Sequence, residues 1–180
     1  MEAVMNVISR ISGLAIVLGL IAASPAAFAA DAPTDPEIAH IAYTAGVLDI
    51  ENAELALKTS KTKTIREFAE SMVRDHKAVN DKALALVKKL NVTPEDNATS
   101  KSLAADAKKA RASLSKLSGA AFDKAYVDNE VAFHKTVNGA LSTTLIPSAS
   151  NAELKSLLET GLKIFQGHQQ HAEMLARNLK

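Results

Sequence analysis

Ile65-Arg66-Glu67-Phe68-Ala69-Glu70-Ser71-Met72-Val73-Arg74-Asp75-His76-Lys77-Ala78-Val79-Asn80 is the stretch that decides the fold. At about 100° per residue, Ile65, Phe68, Ala69 and Met72 share one stripe, continued by Val79, Ala83, Val87 and Leu90. That periodicity predicts a helix over 65–90 with its apolar stripe turned to a core. His76 lies at the centre of the stripe, so an imidazole is expected inside.

Outward from this stretch, Met72 to Asn80 aligns without gaps with Glu130 to Asn138. The pairs Val73/Val131, His76/His134, Lys77/Lys135, Val79/Val137 and Asn80/Asn138 are identical. Two similar helices holding His at the same phase predict a pseudo-symmetric bundle rather than a solenoid, because only two copies exist. Further helices are predicted over 36–59, 120–146 and 151–179. The first follows the capping sequence Thr34-Asp35-Pro36-Glu37. Thr64 to Glu67 and Ser150 to Glu153 repeat the Thr/Ser-x-x-Glu pattern, and Pro147 is expected to close the third helix.

Short links near Ser60 to Lys63 and Pro147 to Ser150 make each neighbouring pair an antiparallel hairpin. In the segment 91–119 between the hairpins, Leu103, Ala107, Ala110, Leu114 and Leu117 recur at helical spacing. They predict a polar crossover helix that lets 65–90 and 120–146 run parallel. The expected architecture is therefore all-α: a four-helix bundle of two antiparallel hairpins with an extra crossover helix, occupying 36–180.

Composition agrees with helices packed through small and aliphatic side chains, since Trp is absent and Phe and Tyr total seven. Cysteine is also absent, which excludes disulfides, thiolate catalysis and zinc-thiolate sites. A net charge of +1 argues against a nucleic-acid partner. Near the N-terminus, Arg10 precedes the apolar run Ile11 to Ala23, then Ser24, Pro25 and the Ala-x-Ala site Ala27-Phe28-Ala29. This pattern predicts a signal peptide over 1–29, with an uncleaved anchor as the alternative, and export to the periplasm or outer membrane. No integral membrane span is expected after cleavage.

Several polar groups fall on buried stripes. Glu130 and His134, one turn apart, lie among Tyr126, Val127, Val137, Leu141 and Leu145. His168 lies among Leu154, Leu158, Gly161, Phe165, Ala172 and Leu175. The first helix buries Ile38, Ile41, Ala45, Leu48 and Leu55 around Asn52, with Asp49 and Glu51 on opposite edges of the stripe. Counted along the helices at about 1.5 Å per residue, Glu51, His76, Glu130, His134 and His168 reach similar heights, within one to two turns.

A carboxylate buried there must be paired, neutral or metal-bound. Two readings stand open. His76, Glu130, His134, His168 and Glu51 hold Fe, Mn, Zn or Cu, or the same groups form a hydrogen-bonded network with no cofactor. His40 and His171 are expected to be exposed. Tyr43, Val47, Ile50 and Leu57 mark a second face of the first helix, suited to the crossover helix, a homo-oligomer or an envelope partner.

The run Glu67 to His76, together with Leu117-Ser118-Gly119-Ala120-Ala121-Phe122-Asp123-Lys124-Ala125-Tyr126-Val127 and His134, resembles the family catalogued as domain of unknown function 4142. The likeness covers most of 37–178. It implies an exported bacterial protein, of a kind often labelled a membrane or outer-membrane protein, with a ferritin-like four-helix bundle. It implies no activity. A ferritin-type di-iron site wants a carboxylate three residues before His on two helices, whereas this chain has Val73 and Phe165 there. A mononuclear or degenerate site fits better, with Asp75 and Glu51 as supporting or alternative ligands. Phosphate loops, nucleophile elbows and His-Glu-x-x-His are all missing, so no catalytic residues are assigned.

Overall fold

Local chemistry sets where each helix starts in the computed structural model, which describes residues 32–179. The predicted signal peptide lies outside the described residues. Helix α1 (Asp35–Thr59) opens with the expected box: Thr34 accepts from the Glu37 N–H, and the Glu37 carboxylate accepts from the Thr34 N–H at 2.9 Å. Helix α2 (Lys63–Leu90) starts two residues earlier than its periodicity suggested, so Thr64 is not its cap. Thr62 occupies that position, yet its hydroxyl turns away and donates to Asp123 at 2.5 Å.

Asn91, in the left-handed region at φ 50°, stops α2. The chain then forms α3 (Ala98–Leu114), capped by Asn97, and α4 (Gly119–Ala140).

Pro147 does not close the following helix as expected. A π turn (Leu141–Leu145) continues α4 and leads into α5 (Ile146–Ser148), with Pro147 in its first turn; the backbone leaves helical geometry only at Ala149. The wider π spacing is compatible with proline, whose ring cannot donate and crowds the carbonyl four residues earlier. The last helix, α6 (Ala152–Asn178), is capped by Asn151, which accepts from the Glu153 and Leu154 N–H groups. Ser150, expected to be the cap, is instead held by Asp35, whose carboxylate accepts from the Ser150 N–H, the Ser150 hydroxyl and the Asn151 N–H.

All the described regular structure is helical. Helix α1 packs on α2, α3, α4 and α6, and α6 packs on α2 and α4 as well. No helix among the described residues is long and apolar enough to cross a membrane. Arg111 of α3 donates to Glu51 at 2.6 Å and to Asn52 at 3.3 Å, fastening α3 to α1.

The apolar interior falls into two clusters. Ile65, Phe68, Met72, Phe122, Tyr126, Val127 and Ala172 anchor one; Ile38, Ile41, Ala45, Leu141, Leu158 and Phe165 anchor the other. Along each of α1, α2, α4 and α6 the chain passes from one cluster to the other through buried polar residues: Asp49, His76, Glu130 with His134, and His168.

Candidate metal centre

That interruption is a layer of ionisable groups between two apolar ones. Helical phase explains it: Asp49 stands four residues from Ala45 and Ala53, and His76 four from Met72. His168 stands three from Phe165 and four from Ala172, so each inherits the inward direction of its neighbours. Asp49, His76, Glu130 and His134 are each at most 3% exposed, and His168 is 7% exposed.

One donor atom from each of His76, His134 and His168 lies within 4.8 Å of the other two, and the same holds for Asp49, Glu130 and His134. The Asp49 Oδ2 atom links the two groups. It lies 2.5 Å from His76 Nε2 and 3.8 Å from His134 Nε2. The shorter approach makes Asp49 and His76 a buried ion pair at the centre of the layer. Both Glu130 carboxylate oxygens, His134 Nε2 and His168 Nδ1 are buried with no hydrogen-bond partner.

The opposite edges of two of these rings are secured. The Glu130 carbonyl accepts from His134 Nδ1 at 3.0 Å, which leaves Nε2 as the lone-pair nitrogen. Asp75 accepts from His168 Nε2 at 3.0 Å, which leaves Nδ1. Phe165 stacks flat on His76, with ring centroids 4.3 Å apart and planes 3° from parallel.

The protonation states divide along the layer. Burial alone would raise the Asp49 carboxyl, but His76, through its charge and its hydrogen bond, outweighs it with smaller help from His134 and Glu130 and holds the group below the ordinary carboxylate range. Burial, reinforced by the Asp49 charge, pushes Glu130 well above its usual value. Burial also lowers His134, with Asp49 partly opposing, and brings His168 down to about 4 against the pull of Asp75. The shifts make Asp49 the carboxylate that ionises most readily and Glu130 the one that keeps its proton longer, while burial favours the neutral ring at positions 134 and 168. Tyr126 borders the layer: its hydroxyl is buried without a partner, and burial, then Glu130 and Asp49, hold its proton on.

Four of the five residues nominated from sequence, His76, Glu130, His134 and His168, meet in this layer. Glu51 does not. Its side chain is 46% exposed and turned toward Arg111, and the α1 carboxylate inside is Asp49. Asp49 and Glu51 are two positions apart, a rotation of about 200°, so only one can face inward. The small residues Gly46, Ala53 and Ala56 flank the Asp49 side of α1, where α2 approaches closely. That second buried face was the sequence signal for Asp49. His40 and His171 are half-buried rather than exposed, and His171 meets Phe68 edge-on at 5.0 Å.

A family model described as a domain of unknown function, DUF4142, matches residues 21–175. The chain belongs to the DUF4142 family. No curated protein matches it, and no solved structure does. In this DUF4142 chain each long hairpin supplies an acid from its first helix and a histidine from its second, Asp49 with His76 and Glu130 with His168. The aligned segments Met72–Asn80 and Glu130–Asn138 lie on the second helix of one hairpin and the first of the other.

Proposed function

We propose that this DUF4142 protein is exported, with residues 1–29 as its signal peptide, and that it binds one transition-metal ion inside a ferritin-like four-helix bundle of α1, α2, α4 and α6, α3 serving as the crossover helix. The ligands are His76, His134 and His168 with the Asp49 carboxylate, and Glu130 is the adjoining acid. The observation that carries this reading is the convergence of buried donor atoms in one layer, of which both Glu130 oxygens, His134 Nε2 and His168 Nδ1 have no hydrogen-bond partner. Leaving a buried polar atom unpaired costs about 1–3 kcal/mol, so several together in an otherwise well-packed interior call for a ligand.

Three imidazoles and a carboxylate suit Zn, Cu or Fe, and suit Mn less well. A bound ion would supply a fixed positive charge and, in the case of Cu or Fe, a redox couple. Because Phe165 covers one side of His76 and no carboxylate precedes either His76 or His168 by three residues, the proposed site is mononuclear and its role is binding rather than a di-iron oxidation. Its place is the periplasm or the outer membrane.

The experiment is elemental analysis and thermal unfolding of the purified protein, stripped with a chelator and reloaded with Fe(II), Mn(II), Zn(II) or Cu(II), beside His76→Ala/His134→Ala. One equivalent of metal and a raised Tm in the parent chain only are expected. If no metal binds stoichiometrically and no Tm moves, the layer is a polar network without a cofactor and the proposal fails.

A further inference from the structure

His168 is the member of the cluster whose orientation is controlled from outside the core. Its Nε2 faces Asp75, on α2 beside His76, at 3.0 Å. Asp75 is in turn gripped by Arg74, whose Nε donates to Oδ1 at 2.8 Å and whose Nη2 donates to Oδ2 at 3.0 Å. Neighbours one residue apart on a helix do not ordinarily face each other, so Arg74 must curl back over the helix surface to close this fork. The pair is partly wet, with side-chain exposures of 70% for Arg74 and 27% for Asp75, and such a contact adds little stability. What it does supply is direction. Both Asp75 oxygens are engaged, which leaves the group ill-suited to ligate an ion itself and well placed to hold a ring.

We propose that Asp75, clamped by Arg74, is the positioning residue for His168: it keeps the proton of that imidazole on Nε2 and presents Nδ1 to His76 and His134. This inference rests on the metal-centre reading for its effect on affinity, but the position of the proton is a property of the metal-free chain. The arrangement matches the general way in which a carboxylate behind a histidine fixes its tautomer and raises its strength as a ligand. His134 is fixed differently, through the Glu130 carbonyl of its own helix. The strap is therefore specific to the ligand from α6, and it joins α2 to α6 across the site.

The test is nitrogen-15 NMR of the histidine rings in the chelator-treated chain and in Asp75→Asn and Asp75→Leu, followed by zinc titration of each. Circular dichroism checks that the variants fold, which the surface location of the residue favours. Wild-type His168 is expected as the Nε2–H tautomer. Asp75→Asn still offers an acceptor oxygen and should retain that tautomer with a modest loss of zinc affinity. Asp75→Leu should give a mixture of tautomers and about a 10–100-fold loss.

A wild-type ring protonated on Nδ1 would overturn the proposal, as would an Asp75→Leu chain with unchanged tautomer and zinc affinity. An Nε2–H ring that redistributes in Asp75→Leu, in a chain that binds no zinc, upholds the positioning role and refutes only the metal-centre reading.

Discussion

Glu130→Gln in the metal-free protein isolates the cost of burying an acid beside an ionised one. Glutamine preserves the shape of a protonated glutamate but has nothing to ionise. In the unfolded chain Glu130 titrates near 4.5; in the folded chain burial and Asp49 hold it well above that value. Between the two values the folded state binds one more proton than the unfolded state, so wild-type stability falls as pH rises, by about 1.4 kcal/mol per pH unit.

The other groups in the layer do not reproduce this slope. The depressed Asp49 gives stability that is lost only as pH falls below about 3.8, outside the window of interest. The lowered His134 and His168 act in the opposite sense, destabilising the fold as pH falls through about 6.5, and they are present in both proteins. The stability of Glu130→Gln minus that of wild type should therefore grow as pH rises from 5.5 to 7.5, by at most about 1.4 kcal/mol per pH unit. Urea unfolding followed by circular dichroism, with chelator present at pH 5.5, 6.5 and 7.5, measures this directly. A difference that stays flat across the series would refute a protonated Glu130 and the division of charge drawn for the layer.

Two further outcomes test the packing around the site. Gly46→Ala places a methyl group against the Asn80 side-chain amide where α1 and α2 approach, and calorimetry should show a loss of about 1–3 kcal/mol; no loss would mean that Asn80 moves aside freely. Tyr126→Phe removes a buried hydroxyl that has no partner, so the metal-free protein should be unchanged or more stable by about 1 kcal/mol. A comparable destabilisation would reveal a bond from that hydroxyl to Glu130 or Asp49.

Periodicity made the helices legible, because each long one must bury a stripe, and His76, Glu130, His134 and His168 could be placed by phase alone. What periodicity handled poorly was α1. It packs on four helices, α2, α3, α4 and α6, its buried sector is correspondingly wide, and a stripe drawn through Ile38, Ala45 and Leu48 left both Asp49 and Glu51 at its edges. Small residues beside Asp49 carried the missing information about close approach. Caps were legible where they act locally, as at Thr34. They were misread at Thr64 and Ser150, because Thr62 and Ser150 are bound by the distant Asp123 and Asp35. The orientation of His168 was similarly hidden, since it depends on an acid 93 positions away in the chain.

The π turn at Leu141–Leu145 has a consequence for how this sequence can vary. A π turn accommodates one more residue than the same length of α-helix, so the segment behaves as a one-residue insertion absorbed by the helix. Ser142, Thr143 and Thr144 point to solvent and can drift in identity. A chain one residue shorter here would run on as plain α-helix with the flanking turns in nearly the same phase, leaving Ser150 and Asn151 within reach of Asp35. Related chains that keep the Asp35 clasp can therefore differ here by one residue in length as well as in letters.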